Sequence, residues 1–110
     1  MTRRDATYQT QAPDPAEVEA MTGLVLLDFG TDWCGHCIAA RAPVDAWLDA
    51  HDGVDLLRVE DGPGRKLGRA YRVKLWPTLV LLRDGREIAR VVRPRGLPDL
   101  QPLDAALDPA

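Results

Sequence analysis

The chain has 110 residues, with 17 acidic and 14 basic side chains and a formal net charge of −3. This length suits one domain over residues 1–110 with one hydrophobic core, and the weakly acidic balance argues against nucleic acid as a ligand. No apolar run reaches the roughly 18 residues of a membrane span, and no apolar stretch follows the charged N-terminus as in a signal peptide, so we expect a cytoplasmic domain away from membranes.

The first half of the chain predicts a βαβ unit. Residues 1–12 are polar and predict a loose segment or a short edge strand. Apolar runs, proline and glycine positions then predict a helix over 13–21, a strand over 24–29, a helix over 34–51 and a strand over 54–59. A right-handed crossover through the long helix would make the two strands parallel.

The second half predicts a helix, a hairpin and a final helix. A basic stretch over 63–72 is helical in pattern, and strands over 78–82 and 87–92 flank Asp84-Gly85, a strong hairpin signal. A last helix runs around Leu103, where Pro102 predicts a late start or a kink. The order βαβαββα predicts an α/β fold with a mixed sheet and helices on both faces.

Both cysteines of the chain lie in the motif Trp33-Cys34-Gly35-His36-Cys37, directly after a predicted buried strand. A bridge between them would close a very small loop, for which the loop-closure model gives the least stabilisation. Redox chemistry therefore explains the pair better than structural reinforcement. Cys34 falls at a predicted helix N-terminus, where the helix dipole and free amides favour the thiolate that attacks a disulfide.

Three segments resemble the thioredoxin family: Asp28-Phe29, the cysteine motif, and Trp76-Pro77-Thr78. The Gly35-His36 pair is similar to that of protein disulfide isomerase domains. The resemblance implies a thioredoxin fold and no cofactor beyond a redox-active Cys34–Cys37 disulfide. In that reading Cys34 attacks a substrate disulfide, and Cys37 resolves the mixed disulfide.

Two charged residues are predicted to serve the resolving cysteine. Asp28 lies in an otherwise apolar strand and matches the buried acid with which the family moves the proton of Cys37; the alternative is a water-facing residue at a strand end. Arg58 falls where the family commonly has lysine, so it is predicted to hold Asp28 ionised. An outward-facing Arg58 is the alternative.

The two residues between the cysteines are predicted to tune the redox couple. Thioredoxins usually carry proline where this chain has His36, beside Gly35. A partly charged imidazole would stabilise the Cys34 thiolate and make the couple more oxidising. The alternative is that His36 is an exposed turn residue without influence on the sulfur.

Four residues are candidates for substrate binding. The resemblance implies that Pro77 is the family's cis-proline, which aligns a peptide beside the cysteines, and that Trp33 and Trp76 supply apolar surface there. Arg93 stands where the family usually has glycine, so a close backbone approach is obstructed or replaced by charge. Gly30-Thr31 replaces an aromatic-alanine pair, which also departs from the family pattern.

The expected function is reduction or exchange of protein or peptide disulfides by a monomer that receives electrons from a separate reductase. The alternative is a peptide-binding adaptor or chaperone in which the thiols are secondary. Zinc shared within a dimer is a remote third possibility, because a closed site needs four ligands. Covalent haem attachment is excluded, since isoleucine follows Cys37.

Overall fold

Four apolar stretches pair into one mixed sheet in the computed structural model, which describes residues 2–107. The strands are β1 (Leu24–Gly30), β2 (Val54–Glu60), β3 (Thr78–Arg83) and β4 (Arg86–Val92). Their spatial order is β2-β1-β3-β4. β2 runs parallel to β1, and both other pairings are antiparallel. The predicted parallel βαβ unit and the predicted hairpin are therefore confirmed.

Helices cover both faces of the sheet, as predicted. They are α1 (Pro15–Glu19), α2 (Gly35–Asp49), α3 (Lys66–Ala70) and α4 (Gln101–Leu107), and a 3₁₀ turn over Leu97–Leu100 precedes α4. The helices are shorter than predicted at most ends. Pro102 lies in the first turn of α4, so a late start, and not a kink, accommodates it.

Side chains of β1 point alternately to the two faces of the sheet, so the strand contributes to the core on each face. Leu26 belongs to the core cluster that includes Val44 and Trp47 of α2, whereas Leu27 and Phe29 belong to the cluster on the opposite face. Successive side chains of a strand point to opposite faces. Asp28, two residues after Leu26, therefore points toward α2.

The polar N-terminal segment is docked against the sheet, so the prediction of a loose segment is wrong for its described part, residues 2–12. Isolated parallel bridges join Arg4 to Leu56 and Gln9 to Val59, along the free edge of β2. Tyr8 is only 4% exposed. The edge-strand alternative is thus nearer the structure, because the outer edge of β2 offers backbone groups that need partners.

The hairpin turn contacts the start of β1 and the end of α1. Asp84 and Gly85 have φ values of 50° and 80°, the left-handed region that two-residue hairpins require. The Asp84 carboxylate accepts a hydrogen bond from the Gly23 amide at 2.7 Å. A Cβ on Gly85 would stand 2.0 Å from the Glu19 carbonyl oxygen. The turn therefore has no room for a side chain at Gly85.

Among residues 2–107, no helix is long and apolar enough to cross a membrane.

We expect Gly85→Ala to destabilise the protein more than Gly53→Ala. Gly53 has a similar φ of 85°, but a Cβ there would meet nothing within 4 Å. The control should therefore lose only the roughly 1 kcal/mol that a left-handed alanine costs, and Gly85→Ala at least about 1 kcal/mol more from the clash. Urea unfolding measures both; equal losses would show that the turn adapts without cost.

Candidate active site

The first turn of α2 holds the two cysteines in different environments. Cys34 is the N-cap residue and is partly exposed, and its Sγ accepts a hydrogen bond from the Cys37 amide at 3.3 Å. Cys37 is 1% exposed. Both are free thiols. The fold therefore presents one sulfur to solvent and keeps the other beneath it.

Cys37 is held protonated by its surroundings. Burial, together with interactions with Cys34, raises the pKa of Cys37 to about 12. The Thr31 backbone amide and the Tyr8 hydroxyl act in the opposite direction and lower the pKa, but by less. At neutral pH Cys37 is thus a thiol that needs a base before it can attack a disulfide.

Asp28 is the acidic group buried beneath this turn. It is 2% exposed, and its carboxylate accepts hydrogen bonds from the Tyr8 hydroxyl at 2.7 Å and from Arg58 Nε at 3.2 Å. Burial raises the pKa of Asp28, and the bonds from Tyr8 and Arg58 offset only part of that effect. Asp28 is therefore a buried acid, as predicted, and the alternative of a water-facing residue at a strand end is wrong.

Arg58 is directed inward, so its predicted contact with Asp28 is present. The two residues are paired in register on β1 and β2, and both side chains are 3% exposed. Arg58 Nη1 also donates to the Asp5 carbonyl at 2.9 Å, and its backbone amide donates to the Asp5 carboxylate at 3.1 Å. Arg58 therefore links the buried acid to the N-terminal segment.

Tyr8 was not predicted to be a site residue, because its segment was predicted to be loose or a short edge strand without a role in the site. Its ring lies beside Gly30: a Cβ on Gly30 would stand 3.0 Å from the ring and from the hydroxyl oxygen, and 2.4 Å from Cys37 Sγ. One signal was available. Gly30 replaces an aromatic residue of the family pattern, which leaves space beside the buried sulfur that another ring can fill.

The predicted substrate surface forms one cluster next to Cys34. Trp33 is 74% exposed, and its ring meets that of Trp76 edge to face with centroids 5.7 Å apart. The Trp76 indole donates to Asp61 at 2.8 Å. The peptide bond between Trp76 and Pro77 is cis. The two tryptophans thus make an apolar shelf that adjoins the partly exposed Cys34 through Trp33.

Arg93 lies against the backbone of this cluster. Its φ of 52° is in the left-handed region, which explains why glycine suits this position. Its amide donates to the Pro77 carbonyl and its Nε donates to the Trp76 carbonyl, both at 2.9 Å. The Trp76 carbonyl that a peptide could use is therefore already bonded within the chain.

The two residues between the cysteines are both exposed. His36 lines a shallow cavity of about 220 Å³ with Arg93 and Arg95. A Cβ on Gly35 would meet nothing within 4 Å, so sterics within the described part of the chain do not require glycine there. Across residues 2–107, no group of three or more His, Cys, Asp or Glu side chains is arranged to hold a metal ion.

A partly exposed and a buried thiol at one helix N-terminus, above a buried carboxylate, define a thiol–disulfide oxidoreductase site. The thioredoxin family profile matches residues 6–103, and the chain belongs to this family.

Individual relatives agree with this assignment. Thioredoxin-2 from Pyricularia oryzae is 31% identical over 101 residues, which cover 92% of this chain and 58% of that protein. Thioredoxin from Chlamydia caviae is 40% identical over 74 residues, 64% of this chain and 70% of that one. The structure of reduced thioredoxin 2 from Pseudomonas aeruginosa PAO1 superposes with a TM-score of 0.84 at 47% identity, covering 94% and 97% of the two chains.

We expect Arg58→Met to destabilise the protein more at about pH 8 than at about pH 5. Removing Arg58 leaves the Asp28 carboxylate buried without its cation, which costs about 3–5 kcal/mol while the group is ionised. Its pKa is already raised by burial and should rise further. A raised folded-state pKa means that stability falls as pH rises through it and returns as the carboxyl takes up a proton.

Urea unfolding at the two pH values measures this difference. Arg90→Met is the matched control, because Arg90 pairs with Glu87 near the surface. A loss for Arg58→Met that is the same at both pH values would contradict the assigned charge pair.

Proposed function

We propose that this chain reduces protein disulfides, with Cys34 as the nucleophile and Cys37 as the resolving thiol. The observation that carries the proposal is the contrast between the partly exposed Cys34 at the N-terminus of α2 and the buried, protonated Cys37. A substrate disulfide can reach only the first sulfur. That sulfur lies at the N-terminus of α2 and accepts a hydrogen bond from the Cys37 amide.

The reaction then takes two steps. Cys34 thiolate attacks one substrate sulfur, the substrate disulfide breaks, and a mixed disulfide forms with Cys34. Cys37 loses its proton and attacks Cys34 Sγ, which releases the second substrate thiol and leaves a Cys34–Cys37 disulfide. No cofactor beyond this pair is needed. We propose Asp28 as the base for Cys37, with Arg58 keeping Asp28 ionised.

Each turnover in the reducing direction leaves a Cys34–Cys37 disulfide, which must be reduced to the dithiol before the next one. We propose that a separate reductase supplies the two electrons, and that the chain acts as a monomer in a reducing compartment such as the cytoplasm. His36, exposed on the first turn, is proposed to shift the potential in the oxidising direction relative to a Gly-Pro pair.

The proposed substrate is a peptide segment lying on the shelf of Trp33 and Trp76 beside Pro77. The two indoles pack on each other, and Trp33 directly precedes Cys34 in the chain; aromatic side chains contribute strongly to such contacts. The Arg93 guanidinium stands at one side of this shelf. We therefore propose that acidic residues near the substrate disulfide favour binding, since their carboxylates can pair with Arg93.

We expect the Cys34–Cys37 couple to have a reduction potential nearer −270 mV than −180 mV; these are approximate values for a reductase and for a disulfide isomerase. Equilibration in glutathione buffers, followed by tryptophan fluorescence, measures it, since Trp33 adjoins the pair. Trp33→Phe identifies the reporting indole. A value near −180 mV would contradict the reducing direction.

Cys34→Ser and Cys37→Ser variants test the alternative of a peptide-binding adaptor. Loss of disulfide reduction with Cys34→Ser, and accumulation of a mixed disulfide with Cys37→Ser, would support the assigned roles. Cellular complementation retained by the double variant would instead favour the adaptor, in which the thiols are secondary.

We expect Arg93→Gly to lower KM for an uncharged peptide disulfide about fivefold and to leave kcat unchanged. Glycine accepts the left-handed backbone and frees the Trp76 carbonyl for one hydrogen bond, which is worth about 1 kcal/mol. Steady-state kinetics with matched neutral and acidic peptides measures the effect. Arg93→Lys, which keeps the charge without the planar fork, should retain the preference for the acidic peptide; an unchanged KM for Arg93→Gly would contradict the proposed shelf.

A further inference from the structure

Tyr8 is a buried phenol that the two-cysteine mechanism does not yet use. It comes from the N-terminal segment and is 4% exposed. Its backbone amide donates to the Asp32 carboxylate at 3.1 Å, and Arg41 donates to the same carboxylate at 2.9 Å. The Arg41 guanidinium lies 6.0 Å from the centre of the Tyr8 ring. Contacts from both sides therefore fix the position of the phenol.

The Tyr8 hydroxyl lies between the two groups that must exchange a proton. It donates to Asp28 Oδ1 at 2.7 Å, and it shares the space beside Gly30 with Cys37 Sγ. A Cβ on Gly30 would contact both Cys37 Sγ, at 2.4 Å, and the Tyr8 oxygen, at 3.0 Å. Because residue 30 lacks a side chain, the hydroxyl and the sulfur can both occupy this space.

We propose that the Tyr8 hydroxyl relays the Cys37 proton to the Asp28 carboxylate when Cys37 resolves the mixed disulfide. The proposal rests on the proposed function. The Cys37 S–H proton passes to the Tyr8 oxygen while the Tyr8 O–H proton passes to Asp28. The products are a Cys37 thiolate, an unchanged phenol and a neutral Asp28 carboxylic acid.

The thiolate then forms the Cys34–Cys37 bond as the bond between Cys34 and the substrate sulfur breaks. The electron pair of that bond leaves with the substrate thiolate, which takes a proton from solvent. Asp28 later returns its proton to solvent, so that proton and electron counts balance without a further reagent.

The environment of Tyr8 suits a relay and not a base. Burial and the neighbouring Asp28 and Cys37 raise the pKa of Tyr8 far above its usual range, so the phenol stays neutral. A neutral hydroxyl can accept one proton while it donates another. The charged and titratable groups around the relay are Asp28, Arg58, Arg41, Asp32, Asp5, Asp45, Cys34 and Cys37.

Stopped-flow single turnovers separate the two chemical steps. Reduced protein is mixed with less than one equivalent of an aromatic disulfide that releases yellow thionitrobenzoate. The first release reports attack by Cys34 and the second reports resolution by Cys37. For Tyr8→Phe we expect an unchanged first phase and a second phase at least about tenfold slower. The pH profile of that second phase should move to higher pH, because Cys37 must then ionise without the relay.

Tyr71→Phe is the matched control, because Tyr71 is the other of the two tyrosines and packs against Phe29 on the opposite face of the sheet. It should leave both phases unchanged. A Tyr8→Phe second phase with the wild-type rate and pH profile would overturn the proposal. If the wild type itself gives no second phase, the proposed function fails instead.

A double variant tests whether Tyr8 acts through Asp28. If it does, Asp28→Asn and Asp28→Asn/Tyr8→Phe should resolve the mixed disulfide at the same rate, because the relay has no acceptor in either. If the double variant is slowed by the product of the factors measured for Asp28→Asn and Tyr8→Phe alone, the relay is overturned.

A second measurement tests the relay without the Tyr8→Phe variant, so it is informative even where that variant does not fold. In the Tyr71→Phe background, Tyr8 is the only tyrosine, so growth on fluorotyrosine labels it alone and makes the phenol more acidic without deleting an atom. The second-phase rate should then change while the first stays constant; an unchanged second phase would overturn the proposal.

Discussion

A carboxylate at position 28 lies beneath the first turn of α2, where it is 2% exposed. An ionised carboxylate is costly to bury unless charge and hydrogen bonds compensate it. Compensation comes from Arg58 on β2 and from Tyr8 on the N-terminal segment. Both residues are in turn fixed by other contacts, through Asp5 and Asp32. The register of β1 with β2 and the docking of the N-terminal segment therefore both serve this one group.

The same helix turn gives two cysteines opposite chemical characters. Cys34 caps the helix at its exposed end, whereas Cys37 lies one turn further, against Gly30 and the sheet. The difference in burial arises because Cys34 is the N-cap residue outside the first turn, whereas Cys37 lies within that turn and packs against Gly30 of β1. A two-residue spacing thus provides both an accessible nucleophile and a protected partner whose proton must be removed internally.

Local patterns were enough to predict the parallel βαβ unit, the hairpin and the redox pair. The run from Leu24 to Phe29, the cysteine motif after it and the Asp84-Gly85 turn each carry a short-range signal. The position of Tyr8 depends on contacts with Asp28 and Gly30, about twenty residues away, and no periodicity marks it. Arg58 is intermediate: it shares a strand face with buried Leu56, but its charge left an outward orientation equally open.

The Tyr8 ring fills the space beside Gly30, so positions 8 and 30 cannot both carry a large side chain there. A larger residue at position 30 would displace both the Tyr8 ring and Cys37 Sγ, whereas a smaller residue at position 8 would leave a cavity beside a buried carboxylate. Enlarging residue 30 alone or shrinking residue 8 alone is therefore harmful, and only a joint change keeps the core filled. The two positions form an epistatic pair, which constrains the evolutionary routes open to this chain.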